Sequence, residues 1–394
     1  MTPAARVQAA IELLDQIIDA ARTGGAAADT LIARYFKERR YAGSKDRRAV
    51  RDLVYRAIRR SGERPVSGRA AMLGLAADDA DLVPLFDGSS HGPAPIAEGE
   101  EAAATPSLVP AWLRPRLDPL VAPEEWPALL ERAPLDIRVN RLKGDRAEVQ
   151  ARLAQAEPAP HSPIALRLPE GFAVEQDPAW ASGLIEIQDE GSQLLSLACE
   201  AAPGMVVVDL CAGAGGKTLA LAAEMENAGR IIACDVDRGR LSRISARLDR
   251  AGVSIVETRL LNPNQEVSAL ADLAGQADLV LIDAPCSGTG TWRRNPETRW
   301  RLTEKRLAQL TAVQSHLLDI GAGLVKPGGR LVYAVCSLLA AEGRDQASAF
   351  VSRHSAFLPE KAPLTAGRAA GDGLILTPGH DGTDGFFVAR WRRP

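Results

Sequence analysis

Long apolar runs are missing from this sequence. No window of its 394 residues approaches the roughly 20 consecutive apolar residues that a membrane span requires, so no membrane partner is expected. Cysteine is scarce: five in the whole chain, an odd number that builds no disulfide framework and suits a reducing cytoplasm. Arg6 lies near the N-terminus without an apolar segment behind it, which predicts no secretory leader. The five histidines (His91, His161, His316, His354 and His380) are isolated, with no metal-ligand spacing, and no metal is expected. An excess of one charge sign is also lacking. Against 50 acidic residues stand 47 basic ones, a net of −3, and as a sum this argues mildly against nucleic acid. What is present is ordinary for a globular chain: 46% hydrophobic and 25% charged residues, which excludes a wholly disordered protein and a coiled coil. At ~150 residues per domain, the length predicts two or three domains.

Resolved along the chain, the charge separates. Residues 34–64 hold twelve basic and four acidic side chains, a net of +8. They lie in a region of helical periodicity: Val7, Ile11, Leu14, Ile17 and Ile18 form one stripe, stopped by Gly24-Gly25. Asp29 is the expected N-cap of a second helix near Thr30. Ser44 precedes a third, with Val50, Leu53, Val54, Ala57 and Ile58 as its apolar face. Such a basic face is either a solvated helix surface or a phosphate-contacting one. Residues 76–105 carry seven acidic side chains and no Lys or Arg; with abundant Gly, Pro, Ser and Ala they read as a linker or a poorly ordered loop. Pro110, Pro115, Pro119, Pro123 and Pro127 break the next stretch into short helical pieces.

Residues 134–190 form a small α+β module, with strands at Leu135–Asn140, Ala165–Leu168 and Leu184–Gln188. From Met205 onward, strands alternate with helices: Val206–Leu210, Arg230–Asp235, Ser254–Thr258, Ala277–Asp283 and Arg330–Val335. This order predicts a mostly parallel, doubly wound α/β sheet. Its first strand runs into Asp209-Leu210-Cys211-Ala212-Gly213-Ala214-Gly215-Gly216-Lys217-Thr218, where glycines permit a tight turn and close backbone approach at a helix N-terminus. The spacing fits neither a Walker phosphate loop nor the dinucleotide Gly-x-Gly-x-x-Gly. Asp235, about twenty residues on, can accept from both ribose hydroxyls or simply cap a helix. Asp209, the glycines and Asp235 together form the arrangement used by S-adenosylmethionine methyltransferases. That cofactor has no phosphates, so neighbouring carboxylates are tolerable.

The fourth strand ends in Asp283-Ala284-Pro285-Cys286-Ser287-Gly288, and the fifth in Val335-Cys336-Ser337. If these strands are neighbours, both thiols enter one cleft with Asp283. Two thiols and a carboxylate beside a methyl donor point to covalent catalysis. Carbon 5 of cytosine is a poor nucleophile until a thiolate adds to carbon 6, and a thiolate both attacks well and leaves well. A carboxyl group on the amino group and ring nitrogen 3 would stabilise the electron-rich adduct. The alternative is a pair of buried core cysteines; Cys199, Cys211 and Cys234, which lack a matching partner, read that way.

These motifs, with Gln188-Asp189-Glu190-Gly191-Ser192-Gln193, Lys326-Pro327-Gly328-Gly329, Gly382-Thr383-Asp384-Gly385-Phe386-Phe387 and Leu135 to Leu142, resemble the Nop/Sun/Fmu (RsmB-like) family of S-adenosylmethionine-dependent RNA (cytosine-5)-methyltransferases over about residues 130–394. The resemblance implies Cys336 as nucleophile, Cys286 as the thiol assisting product release, Asp283 as the holder of the base and Lys217 at the edge of the site. It implies a cofactor-binding set of Asp209, Cys211, Ala212, Gly213, Gly215, Gly216, Lys217, Asp235, Arg238, Asn262, Asp283 and Pro285. Two positions depart from the family pattern: Val335 stands where the family usually has Thr, and Asn262 where it often has Asp. Tyr41 to Arg48 with Leu53-Val54-Tyr55 is similar to a shortened NusB-like helical domain, which favours small-subunit ribosomal RNA as substrate, with transfer RNA as the alternative.

The expected architecture is an N-terminal all-α NusB-like RNA-binding domain (1–75), a linker with short helices (76–130), an RRM-like α+β module (131–195) and a Rossmann-like methyltransferase domain (196–394). A cytoplasmic monomer is expected. Residues 292–306 mix two Trp with a net charge of +4, a composition suited to a splayed RNA strand, or else to a helix face with core tryptophans. Arg293, Arg294, Trp300, Arg138 and Asn140 are the expected RNA contacts. Two rivals remain. A non-catalytic RNA-binding assembly factor is disfavoured by the two retained thiols. A small-molecule or protein methyltransferase is disfavoured by the basic segments.

Overall fold

Thr2 begins the first helix by accepting a hydrogen bond from Ala5 N (3.2 Å), and Pro3 fits the first turn, where no N–H is needed. In the computed structural model, which describes residues 1–104 and 108–394, this helix (α1, Pro3–Thr23) buries Val7, Ile11, Leu14 and Ile17 and stops at Gly24 in the left-handed region. Helix α2 (Ala28–Glu38) starts before the position expected for it. Asp29 lies in its first turn rather than capping it, because its carboxylate is taken by Arg51 (2.6 Å) and the Tyr55 hydroxyl (2.7 Å). Helix α3 (Ser44–Arg60) buries the predicted stripe. A fourth helix, α4 (Gly68–Asp78), was not evident from the sequence.

The described residues form two units: 1–117 with 126–131 and 291–303, and 118–125 with 132–290 and 304–394. In the first, helical unit the acidic stretch is not a free linker. Asp79 pairs with Arg56 (2.6 Å), Asp78 with Arg60 (2.6 Å) and Glu100 with Arg69, while Leu82 and Phe86 join the helical core. The stretch supplies the counter-charge for arginines of α3 and α4. Of the expected linker, residues 105–107 lie outside the described residues.

The second unit carries two sheets. The smaller is antiparallel, in the order β2-β3-β1-β4: β1 (Leu135–Val139), β2 (Glu157–Pro158), β3 (Ala165–Leu168) and β4 (Ile185–Ile187), with helices α5 (Arg146–Arg152) and α6 (Pro178–Ala181). It is the small α+β module expected before the large sheet. After α7 (Glu190–Leu197) the chain enters the large sheet: β5 (Val206–Asp209), α8 (Gly216–Glu224), β6 (Arg230–Asp235), α9 (Arg238–Leu241), α10 (Ile244–Ala251), β7 (Val256–Leu260), α11 (Glu266–Ala269), β8 (Ala277–Asp283), α12 (Glu304–Leu324), β9 (Val325–Val335) and α13 (Arg344–Arg353). Strands β9-β8-β5-β6-β7 are parallel and Rossmann-like. The third strand lies two residues beyond its predicted span. An antiparallel extension, absent from the prediction, follows: β10 (Leu358–Glu360), β11 (Arg368–Ala370), β12 (Gly373–Leu376), α14 (Pro378–Asp381) and β13 (Phe386–Arg392), the last pairing with β9.

Candidate active site

The strand order reverses at β5, which lies between β6 and β8. Ligands in open parallel sheets collect beyond the carboxyl ends of the strands at such a reversal. Asp209 ends β5, Asp235 ends β6, Asp283 ends β8, and Cys336 follows β9. The sheet therefore brings both halves of the predicted site together.

On the cofactor side, Gly213 and Gly215 hold positive φ (56° and 86°); side chains other than glycine rarely accept such angles. Gly215 is the N-cap of α8, with no side chain covering the first helical N–H groups. Asp235 turns back onto this loop: one oxygen accepts from Gly213 N (2.8 Å), the other from Asp237 N (2.7 Å). Each oxygen keeps a lone pair for a ribose hydroxyl. Asp209 is fully buried; one oxygen accepts from the Thr218 hydroxyl (2.7 Å) and the other has no hydrogen-bond partner. Burial, foremost, raises its pKa to about 7, opposed by the Thr218 bond. Uncovered helix N–H groups, an unsatisfied buried acceptor and a carboxylate aligned for a diol fit a nucleoside methyl donor without phosphates. Ala212 is buried, Cys211 is half-buried, and Pro285 is exposed on the loop after β8. Arg238, at the start of α9, and Asn262, in the turn after β7, are both exposed; the Asn262 carbonyl accepts from Gln265 N.

On the chemical side, Lys217 Nζ donates to Asp283 Oδ2 at 2.7 Å. Burial opposes the lysine charge, but attraction and hydrogen bonding to Asp283 outweigh it and hold the ammonium above the ordinary lysine value. Cys336 contributes to the same field. The Cys286 and Cys336 sulfurs are 3.3 Å apart, both half-buried and both free thiols. The hydrogen bond to Cys336 and then burial push the Cys286 thiol well above its ordinary range. Burial, foremost, with the nearby Asp209 charge adding to it, pushes Cys199 and Cys234 up to about 12, as suits inert core thiols.

The flanking motifs brace these loops. Asp189 caps α7 by accepting from Gly191 N (2.8 Å) and also accepts from Asp384 N (3.2 Å). Gly385 N donates to Gly290 O (2.8 Å), and Gly290 N to Cys336 O (3.1 Å). A Cβ at Gly290 would lie 1.9 Å from Gly385 O, so the 382–387 motif closes against the end of the Cys286 loop only through glycine.

Several expected RNA contacts are buried instead. Arg138 donates to Gln188 and to Gly216 O (2.8 Å), tying the ferredoxin-like sheet to the cofactor loop. Asn140 bridges Gly183 O and Ala251 O, each at 2.9 Å. Trp300 packs in the helical core and donates from Nε1 to Ser61 O (2.8 Å). Beside it, Arg299 donates to Ile58 O and Leu108 O, each at 2.7 Å. The end of a helix leaves carbonyls without partners, and this Trp/Arg pair supplies donors at the end of α3. Arg293 is buried and Arg294 half-buried. Thr218 and Glu342 were missed as site residues. Thr218 stood within the quoted glycine motif; Glu342 had no local signal.

Residues 196–392 match the family model of the 16S rRNA methyltransferase RsmB/F, and residues 109–175 that of the RsmF/B-like ferredoxin-like domain. The ribosomal RNA small subunit methyltransferase B of Klebsiella pneumoniae is 35% identical over 293 residues, 72% of this chain and 65% of that protein. The match thus spans just under two thirds of this curated relative. Among solved structures, PH0851 aligns with a TM-score of 0.77 at 25% identity over 99% of each chain. A methyltransferase homolog protein from Pyrococcus horikoshii aligns with a TM-score of 0.62 at 28% identity, over 71% of this chain and 92% of that one.

Proposed function

Because the chain belongs to the RsmB/F family of 16S rRNA methyltransferases, we propose that it methylates carbon 5 of a cytosine in ribosomal RNA through a covalent adduct between Cys336 and carbon 6. The observation that carries this reading is the pair of thiols 3.3 Å apart, at the ends of adjacent parallel strands, beside the Lys217–Asp283 pair. The β5–α8 loop and Asp235 would hold S-adenosylmethionine, which would supply an electrophilic methyl group. The Cys336 thiolate adds to carbon 6, and the electron pair released into the ring makes carbon 5 nucleophilic. Asp283, itself held by Lys217, accepts from the cytosine amino group, and the Lys217 ammonium beside it supplies the positive charge that stabilises the electron-rich ring. Carbon 5 would take that methyl group, with the donor sulfur keeping the electron pair of the broken carbon–sulfur bond. Transfer of the carbon-5 proton to water then restores the double bond and expels Cys336 as thiolate. The neighbouring Cys286 assists that release.

The reading is tested by tritium release from 5-tritiated cytosine in ribosomal and transfer RNA with the methyl donor present. Release from ribosomal RNA is expected; none from either RNA would refute the reading, and release from transfer RNA alone would replace the substrate. A Cys286→Ala protein is expected to accumulate a covalent RNA adduct that resists denaturing electrophoresis, and Cys336→Ala to form none.

A further inference from the structure

Each of the two reactive cysteines is followed by a serine, and both serines converge on one buried carboxylate. Glu342 ends a single helical turn after β9 (Ala340–Glu342) and is fully buried. Its Oε1 accepts from Ser287 N (2.9 Å) and from Gln314 Nε2 (2.9 Å). Its Oε2 accepts from the Ser337 hydroxyl (2.6 Å) and from the Ser287 hydroxyl. The Tyr333 hydroxyl donates to the Glu342 carbonyl (2.7 Å) and fixes the backbone from the strand that leads into Cys336. A buried carboxylate is costly unless its lone pairs are filled. Here four donors fill them, and two of the four come from residue 287 and one from residue 337.

We propose that Glu342 is a positioning residue: by gripping Ser287 and Ser337 together, it sets the spacing of the Cys286 and Cys336 thiols. The proposal rests on the reading that these two thiols serve successive steps of one reaction. The chemistry of the group explains why a carboxylate stands there. It is acceptor-only, so both serine hydroxyls must direct their protons inward. The Ser337 oxygen is then left to accept from Leu339 N (3.1 Å), and Thr289, which accepts from Leu338 N (2.8 Å), completes the ring of hydroxyls. An amide of the same shape has one acceptor oxygen instead of two, so the serine hydroxyls would have to reverse and accept from its NH2, and the charge-assisted grip on the two turns would be lost. The negative charge of Glu342 also adds, after Cys336 and burial, to what keeps the Cys286 thiol protonated. Glu342 touches no reacting atom in this scheme; it acts through the two serines.

The test needs neither RNA nor methyl donor. Full-length protein is equilibrated with glutathione and its disulfide, and the Cys286–Cys336 disulfide is quantified by mass spectrometry, which gives the effective concentration of one thiol at the other. In Glu342→Gln this concentration is expected to fall roughly 10- to 100-fold, the scale that small misplacements of reacting groups produce. Ser287→Ala and Ser337→Ala should each lower it in part, and they carry the comparison if the Gln variant does not fold. In methyl-transfer assays the same variants should lower kcat and leave KM for RNA unchanged. An unchanged effective concentration in folded Glu342→Gln, or in both serine variants, overturns the proposal. A fall in a protein that methylates no RNA upholds the placement and overturns the proposed function alone.

Discussion

Asp209 shows how far a single side chain can be bent toward its site. Burial raises its pKa to about 7, against 3.8 for the ordinary group, so ionising it is harder in the folded chain than in the unfolded one. Its contribution to stability is complete below the ordinary carboxylate range and is lost as pH rises through 7. Asp209→Asn is therefore expected to flatten the fall in the unfolding free energy of the ligand-free protein between pH 4 and pH 8, by up to ~4 kcal/mol. Equal slopes in the two proteins would refute this. The places of Cys336, Asp283 and Asp235 were legible because each ends or directly follows a strand with an unmistakable apolar pattern, whereas Lys217, inside α8, was marked only by the resemblance of the glycine motif. Glu342 was not. Its partner Ser287 lies 55 residues away, and nothing near it in the chain marks it out. Arg138 and Asn140 misled for the opposite reason: a polar residue in a strand reads the same whether it faces RNA or satisfies buried carbonyls.

Elements were predicted where one period dominated. The stripes of α1 and α3 and the apolar runs of β5, β6 and β8 fall where expected. Strand β7 is displaced because its burial is weak on both faces, leaving no clean pattern. The antiparallel extension was hidden because its short strands acquire meaning only beside β9. The Trp/Arg segment is the most instructive element. Basic residues with tryptophans suit nucleic acid equally well as they suit a helix end short of donors, and the deciding carbonyl, Ser61, is 239 residues distant. Trp300→Ala is accordingly expected to cost about 3–5 kcal/mol in denaturant unfolding of the helical unit, with the salt dependence of RNA binding unchanged. A stable Trp300→Ala protein with impaired RNA binding would restore the contact role.

At the scale of the whole molecule, the near-zero net charge conceals internal compensation as well as surface. The acidic stretch from Asp78 onward neutralises Arg56, Arg60 and Arg69, so removing residues 78–104 would unpair all three and strip Leu82 and Phe86 from a core. From the sequence, residues 76–105 read as a linker or a poorly ordered loop. The structure predicts a lowered melting temperature, read by circular dichroism. Arg34, Lys37, Arg40, Lys45 and Arg48 remain exposed. If this face meets RNA, replacing three of them by Gln should reduce the slope of log affinity against log salt by roughly 0.7–0.9 per lost phosphate contact; an unchanged slope would exclude the face.

The grouping of residues 291–303 with the helical unit has a bearing on biosynthesis. Chains generally acquire structure as they emerge, the N-terminal portion first. Here the first 117 residues leave the ribosome without Glu297, Arg299 or Trp300, which complete their hydrogen bonds and core. Strands β5 to β8 are made before that segment appears. The unit that starts earlier in the chain is thus the one finished late, and a fragment ending at residue 117 would lack the clasp that Glu297, Arg299 and Trp300 provide.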